Sequence, residues 1–164
     1  MKRVLLMRHG EAELDAASGL DGDRALTAAG RRVTVEVSRQ IRAAVPVLDL
    51  LVTSPLLRAR QTGDLVAADR EVRQRIESRL FVPTGDPATA LLWLQEQAGS
   101  CVMLVGHEPQ LSAMAAIAVG AGGRQPLVFE TSTVCALGAG LSGRDRSAVL
   151  WHCAPPLVST REAR

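Results

Sequence analysis

Three short, largely apolar runs end abruptly in clusters of polar residues, and this pattern limits the fold more than any other feature of the chain. Val4 to Met7 runs into Arg8-His9-Gly10, Leu48 to Thr53 into Ser54-Pro55, and Cys101 to Val105 into Gly106-His107. Continuous apolar runs of this length suit strands covered on both faces, as in a parallel sheet. The intervening segments read as helices. Thr27 is placed to cap a helix in which Val33, Val37, Ile41 and Ala44 recur at helical spacing, closed by Pro46. Further helices are expected over Leu56 to Ala68, Pro87 to Gln97 and Leu111 to Val119, with Pro55 near the first turn of one of them. Val72 to Arg75 reads as a short strand. Leu127 to Leu137 and Ala148 to Cys153 read as β-rich, joined by a hairpin turn at Gly138 to Arg146.

Strands alternating with helices predict an α/β fold, a three-layer α/β/α sandwich around a mostly parallel sheet. No repeat, linker or second domain is visible. The 164 residues are therefore expected to form one domain, with about residues 157–164 as a frayed tail. A chain of this size buries roughly 70% of its unfolded surface, enough to hold together without disulfides. Cys101, Cys135 and Cys153 are odd in number and set among apolar neighbours, as reduced core thiols of a cytoplasmic protein would be. The apolar run after Lys2-Arg3 is far too short for a signal peptide.

Composition also removes function classes. A net charge of +2 without charge blocks, and only two Phe and two Trp, offer little to nucleic acid or to a membrane surface. No Cys/His cluster has metal-ligand spacing, so neither a metal nor another cofactor is expected. Gly138 to Gly143 formally fits G-x-G-x-x-G, but a β-rich segment follows where a dinucleotide site needs a helix, so it reads as a turn.

The polar clusters gain meaning from where they lie. In open α/β sheets ligands bind beyond the carboxyl ends of the strands. Arg8, His9, Arg58 and His107 could meet at one such rim as a compact anion site. Arginine matches phosphate oxygens with a planar fork of donors and stays charged. A neutral imidazole held at Nδ1 by a backbone carbonyl could present Nε2 as a nucleophile. Taken singly, each has a plainer reading: a histidine after a strand is usually structural, and Arg58 could be a solvated helix residue. Ser54 could touch a ligand or simply precede its helix, and Ser132 is open in the same way. Thr27 reads as a cap and Gly30 as a point of close packing.

Four motifs, taken together, resemble the histidine phosphatase superfamily. They are Leu6-Met7-Arg8-His9-Gly10-Glu11, Ala25-Leu26-Thr27-Ala28-Ala29-Gly30, the stretch Thr53-Ser54-Pro55-Leu56-Leu57-Arg58-Ala59-Arg60-Gln61-Thr62, and Val105-Gly106-His107-Glu108-Pro109. Glu13 to Ser18, Gly85-Asp86, Phe129 to Ser132, Trp151 and Cys153 to Pro155 resemble in particular the small SixA-type phosphohistidine phosphatases. The resemblance implies a phosphoglycerate-mutase-like fold in its smallest form. It implies His9 as nucleophile, Arg8, Arg58 and His107 as ligands of the phosphoryl group, and Arg24 at the rim.

Larger members carry an insertion with an acidic proton donor between the positions of Arg58 and His107. Only 49 positions separate these residues here, too few for a lid. No carboxylate falls on the general-acid position, although Glu11, Asp86 and Glu108 are near in motif terms. A phosphoramidate leaves as an easily protonated imidazole, whereas an alkoxide depends on a donor typically contributing 10²–10⁴-fold. The expected substrate is accordingly a histidine-phosphorylated protein, such as a histidine phosphotransfer domain. The alternatives are a small phosphate ester or, in a different class, a non-catalytic phosphate-binding module.

Overall fold

The computed structural model describes residues 2–121, 127–138 and 148–155. Its centre is a six-stranded sheet in the order β5-β3-β6-β1-β7-β8. In chain order these are β1 (Arg3–Arg8), β3 (Leu50–Thr53), β5 (Arg75–Glu77), β6 (Cys101–Gly106), β7 (Val134–Gly138) and β8 (Ala148–Cys153). Strands β5, β3, β6 and β1 are parallel, while β7 and β8 run antiparallel to their neighbours. A separate pair joins β2 (Val47–Leu48) to β4 (Glu71–Val72).

Strand alternation divides the core into two layers. Val4, Leu6, Val102, Leu104, Cys135 and Leu137 face the side covered by α3 (Pro87–Glu96) and α4 (Gln110–Val119). Leu5, Met7, Met103, Val105, Val134 and Ala136 face α1 (Ala28–Arg42) and α2 (Leu57–Ala67). Both sets are buried, which is why these strands are apolar at every position instead of at every second one.

Helix α1 is capped as its sequence predicts: Gly30 N donates to Thr27 Oγ1 at 2.8 Å. It stops at Arg42, before Pro46, with Ala43 as C-cap. The run Leu48 to Thr53 is not continuous. Asp49 interrupts it, its Oδ2 accepting from Ser100 N, Cys101 N and Ser100 Oγ at 2.7, 3.0 and 3.1 Å. These bonds also hold the Asp49 carboxyl below the usual range. The strand expected over Val72 to Arg75 resolves into β4 and β5, pairing with different partners.

The β segment expected over Leu127 to Leu137 is a strand only from Val134. The backbone before it is bonded to the end of β1 instead: Ser132 N donates to the carbonyls of Arg8 and His9, both at 3.1 Å. Ser132 takes φ +63° to do so. Cys101 and Cys135 are core thiols, with Cys135 pushed up to about 12 by burial. Cys153 is only half-buried, on the outermost strand. The expected hairpin turn, beyond Gly138, the central part of the G-x-G-x-x-G match and the tail at 157–164 lie outside the described residues. Among the described residues no helix is long and apolar enough to cross a membrane.

The loop after β1 packs on the start of α1 with no room to spare. A Cβ added at Gly30 would lie 2.1 Å from the carbonyl oxygen of Glu11, which is backbone and cannot turn away. At Gly10 the nearest atom would be the Thr34 hydroxyl, a side-chain atom, at 2.5 Å, with the nearest backbone atom, Gly30 O, at 3.1 Å. Gly30→Ala is therefore expected to cost about 1–3 kcal/mol, an overpacking penalty, and Gly10→Ala less. Urea unfolding of the two variants checks the order.

Candidate active site

The polar cluster is assembled by main-chain register. β1 pairs with β6 so that Arg8 lies opposite Gly106, and His9 N donates to Gly106 O at 3.1 Å. His9 and His107 thereby leave adjacent strand ends side by side, their ring centroids 4.9 Å apart. Ser54 N donates to Val105 O at 3.1 Å, seating the start of the β3–α2 turn against the same strand end.

Each side chain is fixed by a nameable bond. The His9 ring meets Gly10 O through Nδ1 at 2.7 Å. A carbonyl oxygen can only accept, so the proton of the neutral ring sits on Nδ1 and Nε2 carries the lone pair. Gly10 N donates to Thr62 Oγ1 at 3.0 Å, and that hydroxyl donates to Arg58 O at 2.7 Å. Gln61 Oε1 accepts from Leu26 N at 2.8 Å. The Gln61-Thr62 pair thus ties α2 to the loop after β1 and to the backbone just before α1, a role its sequence motif did not assign.

Arg8 donates from Nη1 to Phe129 O at 2.8 Å, while its Nε is buried without a partner among the described residues. His107 is 1% exposed, and both of its ring nitrogens likewise lack a protein partner. Arg58 is 4% exposed and donates from Nη1 to Asp21 O at 2.8 Å and from Nη2 to Asp21 Oδ2 at 3.0 Å. Arg24 Nη1 donates to the other oxygen, Asp21 Oδ1, at 2.8 Å, and its Nε to Glu13 O at 2.6 Å. Asp21 therefore bridges two arginines. No motif marked it, because it sits in the loop between two of them.

Ser54 and Ser132 are both fully buried. Ser54 Oγ accepts from Leu56 N at 3.4 Å, a turn at the start of α2. Ser132 Oγ pairs with Thr34 Oγ1 at 2.9 Å, and its backbone amide holds the loop that carries His9.

Burial first, then the guanidiniums of Arg58, Arg8 and Arg24, disfavours a protonated His9 and lowers its pKa from 6.5 to about 4. Burial, His9 and Arg58 bring His107 to about 3, with Asp21 acting in the opposite sense. Both rings are neutral at physiological pH. Of the nearby carboxylates, Asp86 caps α3 by accepting from Thr89 N at 2.7 Å, and this bond keeps it ionised. Glu11 accepts from the Thr27 hydroxyl at 3.1 Å. Asp21 is kept ionised by Arg24 and Arg58. Glu108 alone of the four has an oxygen, Oε1, that is buried without a partner among the described residues. No group of three or more metal-ligating side chains occurs among the described residues.

A neutral imidazole and two arginines gather at the carboxyl end of the parallel strands, and comparison with known proteins gives the class of the chain. Residues 4–81 match the model of the histidine phosphatase superfamily, branch 1. An uncharacterized protein of Picosynechococcus is 38% identical over 121 residues, covering 71% of this chain and 73% of that one. The phosphohistidine phosphatase SixA of Escherichia coli is 28% identical over 160 residues, covering 93% and 94%. A solved structure of the protein histidine phosphatase SixA with tungstate superposes with a TM-score of 0.83 at 26% identity, covering 93% of this chain and 97% of that one. The chain belongs to the histidine phosphatase superfamily, as a phosphatase with that superfamily's α/β architecture. The span between Arg58 and His107 is wholly occupied by α2, β4, β5, a 3₁₀ turn at Arg79–Phe81, α3 and β6. It holds no inserted lid.

Two expectations follow. By NMR, His9 and His107 should titrate near pH 4 and 3, and neither near 6.5. Because the unfolded chain takes up these protons first, stability should decline as pH falls below about 6.5. A ring titrating near 6.5 would place it in water. Asp21→Asn, which removes the charge competing for Arg58 and Arg24, should tighten vanadate binding about three- to tenfold, read by inhibition of ester hydrolysis.

Proposed function

We propose that this phosphatase removes phosphate from histidine-phosphorylated protein through a covalent phospho-His9 intermediate. The observation that carries the reading is the neutral His9 ring, bonded through Nδ1 to Gly10 O and set beside Arg8, Arg58 and His107. His9 Nε2 attacks phosphorus, and the bond from phosphorus to the substrate imidazole breaks, its electron pair passing to the departing nitrogen, which is protonated. Water then attacks the phospho-His9 phosphorus, the electron pair of the P–N bond returns to Nε2, and phosphate and a proton are released. Arg8, Arg58 and His107 hold the phosphoryl oxygens, in part through groups that have no other partner among the described residues. Arg24, paired to Asp21, stands at the rim.

The leaving group supports the substrate class. Asp21 and Asp86 are kept ionised by their hydrogen bonds and cannot supply a proton. An imidazole needs such help least. The chain's likeness to the phosphohistidine phosphatase SixA of Escherichia coli in sequence, and to a tungstate-bound SixA structure in fold, points the same way. A second reading, hydrolysis of a small phosphate ester, is favoured by one feature, the uncommitted Glu108 oxygen next to His107.

Single-turnover dephosphorylation of a phosphohistidine protein, with para-nitrophenyl phosphate in parallel, separates the two. The wild type should strip the protein rapidly and the ester slowly, and His9→Ala should lose at least about 10³-fold of both. Glu108→Gln should leave phosphohistidine turnover within about threefold. Ester hydrolysis that exceeds phosphohistidine turnover and collapses in Glu108→Gln would transfer the function to small-molecule chemistry.

A further inference from the structure

Among the described residues, the three most exposed large apolar side chains are Leu14, Val128 and Leu20, at 88%, 73% and 65%. All three adjoin backbone that touches a cationic residue of the site. Leu14 follows Glu13, whose carbonyl accepts from Arg24. Leu20 precedes Asp21, which bridges Arg24 and Arg58. Val128 precedes Phe129, whose carbonyl accepts from Arg8. Single exposed apolar residues need no explanation, but three that each adjoin a residue bonded to one of the site's arginines do.

The loop presenting the leucines is built, not loose. Glu13 N donates to Ala25 O at 2.8 Å, Gly19 N to Ala16 O at 2.9 Å and Thr27 N to Glu11 O at 3.0 Å. Ser18 Oγ donates to Asp23 Oδ2 at 2.8 Å and accepts from Leu20 N at 3.3 Å. Leu14 and Leu20 belong to neither core layer. Holding apolar side chains out in water on a tied loop is unfavourable alone and favourable when a partner covers them, because little ordering remains to be done on binding.

We propose that Leu14, Leu20 and Val128 form an apolar collar on which the substrate protein docks. The occupant is a protein surface with apolar side chains flanking one phosphohistidine, its phosphoryl anion complementary to the arginines of Arg8, Arg24 and Arg58. The proposal rests on the phosphohistidine-protein reading. It deepens that reading by assigning recognition of the protein to groups that take no part in cleaving the bond.

Free phosphohistidine provides the test, since it contains the same scissile bond without the protein. Steady-state kinetics compare wild type and Leu14→Ser/Leu20→Ser on a histidine-phosphorylated protein and on free phosphohistidine, with Leu92→Ser on α3 as surface control. The double variant should raise KM for the protein about tenfold or more, leave its kcat unchanged, and act on free phosphohistidine as the wild type does. Leu92→Ser should change neither. An unchanged KM for the protein overturns the collar while the substrate class stands, and so does an equal loss on both substrates. A wild type that cleaves free phosphohistidine or an ester but not the protein overturns the proposed substrate, and the collar with it.

Discussion

The parallel pairing of β1 with β6 is the constraint on which the site depends. Its register puts Arg8 opposite Gly106, so that one strand ends in His9 and its neighbour in His107. Neither histidine is placed by a loop of its own. The remaining polar groups are then tied to this edge: Arg58 through Thr62 to Gly10, and the backbone of Ser132 to the carbonyls of Arg8 and His9. A slip of β1 by one residue against β6 would turn Leu6 to the layer opposite Leu104. The register is therefore held by the whole core, on both faces of the sheet.

Burial accomplishes two things at once. It removes the tendency of His9 and His107 to protonate, which leaves His9 with a free electron pair at neutral pH, and it strengthens the field of the guanidiniums around them. The same placement leaves Arg8 Nε and both nitrogens of His107 without partners among the described residues. Such groups are costly in a folded chain unless a ligand takes them up. An anion bound there would restore hydrogen bonds that folding alone leaves unmade.

Most of this architecture was legible because the residues that make it are locally unambiguous. Apolar runs at Val4 to Met7 and Cys101 to Val105 suit strands covered on both faces, which they are, and Thr27 caps α1 by the bond its position predicts. Long-range bookkeeping was not legible. Leu127 to Leu137 has β composition throughout, yet its first half is spent on closing the loop after β1, a partnership formed more than a hundred residues away. Asp49 is plain inside its apolar run, but not the reason for it, which is that its carboxylate accepts from backbone at the start of β6. Asp21 escaped notice for a related reason. It lies in a loop of ordinary polar residues, and only the folded chain brings Arg58 to it.

That bridge bears on the end of a catalytic cycle as much as on its beginning. A phosphatase must let go of an anion that resembles the one it was built to seize. In this protein a carboxylate on an exposed 3₁₀ turn already spans Arg58 and Arg24. On the proposed reading, phosphate leaving Arg58 does not strand a bare cation, because a carboxylate of the protein's own is already bonded to that guanidinium. Product release would then be an exchange of anions in place of a separation of charge.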